Sequence, residues 1–278
     1  MKPTILHPFL AALAGLVTAL LPPLPVTAQT EARAAEDVVE VEVLEGWRRA
    51  DGSHMAGLLV RLEPGWKTYW RAPGDGGIPP RLQLRDRRAL MGVEMHWPVP
   101  EVFYANGLRS IGYTSDVVFP LELTLAEGHG DVSLAGRIDL GVCEDICMPI
   151  TVNLRATLPA GGRPDPRIAA ALADRPATGA EAGVGRITCR LTPISDGLRV
   201  EATLPLPQQG RGEAVVFELP DPGTWISEAD TRREGGHLHA SADIVPADAG
   251  PFALDRSTLR MTVLAEGRAV EMTGCVGR

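Results

Sequence analysis

Glycine or proline occupies nearly one position in five of this chain, with 30 glycines and 24 prolines among 278 residues. Glycine supplies turns that need unusual backbone angles, and proline removes a hydrogen-bond donor from any helix or ladder it enters. Punctuation of that density leaves no room for long helices and confines the chain to short strands joined by turns. The alternation agrees. Val39, Val41 and Val43 share one parity while Glu40 and Glu42 hold the other, the pattern of a half-buried strand. Further strand runs occur at Ala56–Leu62, Val117–Leu125, Val132–Val142 and Ile150–Leu158, separated by turn clusters such as Ala72–Pro80. From Pro159 to Val184 the chain is rich in Ala, Gly and Pro and shows no strand pattern. One short helix is expected there over Pro166–Ala173, capped by Asp165. Alternation resumes with Ile187, Cys189 and Leu191. Asp196-Gly197 predicts a two-residue hairpin turn into Leu198–Leu204, and a last hairpin joins Leu259–Leu264 to Val270–Thr273 around Glu266-Gly267. The expected architecture is all-β: two antiparallel β-sandwich domains, residues 29–158 and 185–278, joined by a Pro/Ala/Gly-rich linker at 159–184.

The N-terminus sets the expected compartment. Lys2 precedes a nearly unbroken apolar run from Ile5 to Leu21, Pro22-Pro23 ends it, and Val26-Thr27-Ala28 places small residues at a cleavage site. This predicts a signal peptide over residues 1–28 and a mature start at Gln29. The run falls short of a spanning helix, and no other stretch approaches that length. The expected product is a soluble periplasmic protein with no membrane span after cleavage, in a place where disulfides persist. Its net charge of −8 offers no electrostatic footprint for nucleic acid, which is excluded as a partner.

Four cysteines then dominate the chemistry, with 143–147 and 189–275 as the default pairing for an exported chain. Val132, Leu134, Ile138, Leu140 and Val142 form an even-numbered apolar set, so the odd-numbered Cys143 and Cys147 should point away from the core, at a strand-to-strand corner. A tight, exposed bridge of this kind is labile or catalytic, and its bland alternative is an inert loop staple. Glu144 and Asp145 disfavour the thiolate, so the pair suits exchange with a partner better than unaided attack. Cys189 shares the parity of Ile187 and Leu191 and should face the core. Its bond to Cys275 would be structural, with a bulge at Gly274 correcting the parity of Cys275.

In order along the chain, Gly65-Trp66-Lys67-Thr68-Tyr69-Trp70, the Pro73-Gly74-Asp75 turn, Trp97-Pro98 and Phe103–Gly107 lead to the paired cysteines. This order resembles the N-terminal periplasmic domain of DsbD-type thiol:disulfide interchange proteins over about residues 37–158, closest to the ScsB (suppressor of copper sensitivity) branch. The resemblance implies an immunoglobulin-like sandwich whose cysteines take electrons from a membrane-embedded thiol reductase. It also implies delivery to periplasmic thioredoxin-like or disulfide-containing proteins. It further implies an aromatic cap over the sulfurs, for which Phe103 and Tyr104 are the nearest matches, and a tyrosine near the pair, matched by Tyr69. The gap of three residues between the cysteines is shorter than in better-known members. With neither an electron channel nor a terminal thioredoxin domain in the sequence, a detached module served by separate partners, or a relative that has changed function, is expected.

No resident cofactor is expected. The second function class is a Cu(I) metallochaperone or copper-tolerance protein using Cys143, Cys147 and Met148, since thiolate and thioether ligands select Cu(I). A third is a purely structural binding protein. His237-x-His239 is better explained as an exposed turn than as a metal site, and no Ser/His/Asp or phosphate-loop motif stands out.

Overall fold

The computed structural model describes residues 37–85, 89–105, 107–128, 130–221, 223–247 and 253–277; the expected signal peptide lies outside them. The first ten strands are β1 (Val39–Arg48), β2 (His54–Leu62), β3 (Lys67–Tyr69), β4 (Arg81–Leu84) and β5 (Leu90–Met95), followed by β6 (Glu101–Ala105), β7 (Leu108–Tyr113), β8 (Val117–Leu125), β9 (Val132–Cys143) and β10 (Cys147–Leu158). They form two facing sheets. One runs β1-β2-β8-β5, and the other runs β10-β9-β3-β7-β6 with β4 also paired to β9. The even-numbered residues of β9 meet Phe119, Leu121 and Leu123 of β8 in one apolar cluster between the sheets, as the alternation requires.

The helix α1 (Pro166–Ala173) forms where the sequence placed it, with the Asp165 carboxylate accepting from the Arg167 amide and Pro166 opening the first turn. It is not a free spacer. Ile168 is buried and packs with Leu44, Met55 and Leu59 on the outer face of the first sheet. The last part of the connection, β11 (Ala177–Thr178), pairs in parallel with a strand of the second sandwich.

That second sandwich is built from β12 (Thr188–Pro193), β13 (Leu198–Leu204), β14 (Ala214–Glu218), β15 (Trp225–Ile226), β16 (Asp230–Glu234), β17 (His237–Val245), β18 (Arg260–Ala265), β19 (Arg268–Thr273) and β20 (Val276–Gly277). Its sheets run β11-β19-β18-β14 and β15-β17-β13-β12-β20, with β16 paired to β17. The all-β expectation therefore holds, with β11/β19 and β12/β20 as short parallel exceptions to the antiparallel rule.

The two hairpin signals fare differently. Glu266 (φ 44°) and Gly267 (φ 73°) form the tight left-handed turn between β18 and β19. At Asp196-Gly197 the two-residue turn is corrected to four residues, Ile194–Gly197, closed by the Ile194 amide donating to the Gly197 carbonyl. Glycine is required there for proximity, because a Cβ at Gly197 would lie 2.0 Å from the Ile244 carbonyl oxygen.

Both sandwiches fall within one compact unit. Leu264 and Ala269 of the second belong to the buried cluster of the first. No helix among the described residues is long and apolar enough to cross a membrane.

Candidate functional site

The site grows from the β9–β10 hairpin. Cys143 and Cys147 are directly opposed at its open end, joined by Glu144-Asp145-Ile146 and by a disulfide. The sulfurs point away from the inter-sheet core, as parity required. The expectation of an exposed bridge is corrected, however: Cys143 is only 1% exposed and Cys147 is half-buried. The cover comes from β3 and the segment after it. Lys67 pairs with Cys143 and Thr68 with Val142, which brings Tyr69 alongside Gly141 on the face that carries the sulfurs. The Tyr69 ring is accommodated between two glycines. A Cβ at Gly141 would lie 3.0 Å from Tyr69 Cδ2 and 2.6 Å from Ile78 Cβ, and one at Gly77 would lie 2.7 Å from Tyr69 Cδ1. The covering layer is thus Tyr69 together with the 73–80 segment, which the sequence marked only as a turn cluster.

Tyr69 is fully buried, and its hydroxyl lies 3.2 Å from Cys147 Sγ and 3.4 Å from the Gly76 carbonyl oxygen. A disulfide sulfur carries no proton, so the phenol donates. Burial raises the Tyr69 pKa above its ordinary value, which keeps the phenol a neutral donor. Phe103 on β6 faces the same way, with its ring centroid 6.4 Å from that of Tyr69. Tyr104, one residue on, takes the opposite face beside Arg109 and is 73% exposed. Of the two expected cap residues, the structure brings Phe103 to the tyrosine and leaves Tyr104 at the surface. Ile146, at the hairpin tip, is 77% exposed.

Met148 lies on the other face of β10, packed against the core cluster, so its thioether and the two sulfurs point to opposite sides of the sheet. Among the described residues no group of three or more His, Cys, Asp or Glu side chains is arranged to hold a metal ion. His237 and His239 lie on β17 with ring centroids 6.4 Å apart, and His239 is engaged with Thr203.

In the second sandwich Cys189 is fully buried and bonded to Cys275. Gly274 (φ 84°) breaks the strand between β19 and β20 and turns Cys275 toward the interior, the irregularity the parity mismatch called for.

Residues 32–159 match the family model described as thiol:disulfide interchange protein DsbD, N-terminal. The first sandwich is similar to that family throughout its length. The match ends before the second sandwich begins. Similarity of fold extends further. The crystal structure of the N-terminal periplasmic domain of ScsB from Proteus mirabilis superposes with a TM-score of 0.66 at 24% identity, covering 89% of this chain and 97% of that one. Coverage of that extent spans the DsbD-type sandwich and its partner together. No curated protein matches the chain.

Proposed function

We propose that the protein is a periplasmic thiol–disulfide exchange module in which Cys143 and Cys147 cycle between disulfide and dithiol. Electrons would come from a membrane-embedded thiol reductase and pass to thioredoxin-like or disulfide-containing periplasmic proteins. The observation that carries this reading is the asymmetric cover over the bridge, which buries Cys143 and leaves Cys147 partly open under the Tyr69 hydroxyl. The DsbD-type match supports the same chemistry.

Cys147 is the sulfur that meets partners. A donor thiolate attacks Cys147 Sγ, the Cys143–Cys147 bond breaks, and Cys143 leaves as a thiolate that takes up a proton. The donor's second thiol then attacks the mixed disulfide, releasing Cys147 and completing a transfer of two electrons and two protons. Delivery to an acceptor disulfide runs the same steps in reverse. Cys143 acts as the resolving sulfur in that direction, beneath a cover that keeps stray thiols away.

The Cu(I) reading has less support. Its third soft ligand, Met148, packs on the opposite face of β10. Redox titration of the 143/147 pair, set beside Cu(I) competition on the same reduced sample, tests the choice. The expected midpoint lies above the roughly −300 mV below which structural disulfides fall. A pair that stays oxidised at that poise, together with stoichiometric tight copper binding by the dithiol, would reverse the assignment.

A further inference from the structure

We propose that Glu218 and Glu271 of the second sandwich are positioning residues for the exchange site, holding Tyr69 over Cys147 through Arg71. This rests on the exchange reading above and gives the second sandwich a part in it.

Three consecutive residues make the connection. Tyr69 touches the sulfur, Trp70 is fully buried in the core of the first sandwich, and Arg71 leaves that sandwich for the other. The Arg71 guanidinium stacks on the Trp70 ring at 4.1 Å. It also donates a two-pronged pair to Glu218, Nε to Oε1 at 2.8 Å and Nη2 to Oε2 at 3.0 Å, and a further bond to Glu271. Arg71 is 15% exposed, so its partners fix it in a partly desolvated place where an unpaired charge is costly.

A second clamp lies beside the first. Arg109 on β7 pairs with Glu228 of the second sandwich at 3.0 Å. Its backbone presses on the covering segment, since a Cβ at Gly74 would lie 2.7 Å from the Arg109 carbonyl oxygen. The Trp70 amide donates to Ile111, and the Ile111 amide donates to Pro73, which closes the stem of that segment. Both sides of the stem are therefore tied to carboxylates of the other sandwich. A hydrogen bond to sulfur depends on distance and angle, so a stem released by a few tenths of an ångström loosens Tyr69 from Cys147.

The test uses the full chain and dithiothreitol. Two thiols of the reagent become its cyclic disulfide while the Cys143–Cys147 bond accepts two electrons and two protons, through a mixed disulfide at Cys147. The rate is followed by alkylation and mass, with Cys189–Cys275 as the internal control. Glu218→Gln/Glu271→Gln is expected to speed reduction of the 143/147 pair about fivefold, the change that losing one hydrogen bond of ordinary net strength produces. In a Tyr69→Phe background the same double substitution should add nothing, because its route has been removed.

An unchanged rate beside a lowered Tm would mean the carboxylates only stabilise the fold, and would overturn the proposal. So would an equal acceleration with and without the Tyr69 hydroxyl. Should the double variant fail to fold, Glu228→Gln carries the same two outcomes, since that carboxylate is half exposed. A 143/147 bond that resists dithiothreitol in the unaltered chain would instead remove the exchange reading, and this proposal with it.

Discussion

The two disulfides differ in how much of the unfolded chain each one constrains, and that difference sets a measurable contrast. Cys189 and Cys275 are 86 positions apart, whereas Cys143 and Cys147 are 4 apart. In the chain-entropy treatment, closing the long loop is worth about 4.6 kcal/mol at 25 °C and closing the short one about 1.9 kcal/mol. The surroundings widen the gap. Cys189 is fully buried in the core of its sandwich, so Cys189→Ala also leaves unfilled volume. The 143/147 hairpin, by contrast, keeps its twelve-residue ladder when the sulfurs are removed. For a unit of this size, about 4.6 kcal/mol corresponds to a fall in Tm of roughly 9–18 °C, against less than half that for the short loop. Urea and thermal unfolding of Cys189→Ala/Cys275→Ala and Cys143→Ala/Cys147→Ala, each in the full chain, provide the comparison. Equal destabilisation, or a larger loss for the 143/147 variant, would refute the division into a structural and an exchanging pair.

Three further outcomes are expected. Phe103→Ala should make the 143/147 disulfide easier to reduce, whereas Tyr104→Ala, on the opposite and exposed face, should leave its reduction by a small thiol unchanged; matched dithiothreitol rates decide this. Burial lowers the His54 pKa below its ordinary 6.5, so the unfolded chain binds that proton more readily. Stability from this group is full above about pH 6.5 and declines as pH falls below it. His54→Gln, which keeps a donor for the Glu45 carbonyl, should show a shallower loss between pH 7 and pH 5.5 in urea titrations. Finally, the intact mass of the exported protein should correspond to a chain starting at Gln29, and retention of residues 1–28 would contradict the cleavage assignment.

Alternation made much of the fold legible. β9 buries one parity over most of its length and was visible as a two-residue period, whereas β1, despite its alternating Val and Glu, buries only Val39 and Leu44, which lie on opposite parities. β3, β4 and β6 were not visible, because three to five residues are too few to establish a period against flanking Pro, Gly and Trp. At the site, parity correctly turned both sulfurs away from the core. It could not show that the outer face would be roofed, since the roof is Tyr69 with Gly76, Gly77 and Ile78, some seventy positions away. Glycine at 77 and 141 was the one signal present, and in a sequence it is indistinguishable from ordinary turn and strand glycine. The Arg71 clamp had no local signature at all, as its partners lie 147 and 200 positions downstream.

The insertion of Leu264 and Ala269 into the neighbouring core, together with Ile168 seated on Leu44, Met55 and Leu59, separates the extent of the family match from the extent of the folding unit. The stretch that matches the DsbD-type family model ends at residue 159, yet a cut there would strip the helix from one sheet and uncover apolar surface at the seam. The matched portion shares its core and one sheet face with residues that lie beyond it in the chain. Heat should therefore melt the two sandwiches in one cooperative transition, and excision at the family boundary should yield an aggregating fragment rather than a smaller working carrier.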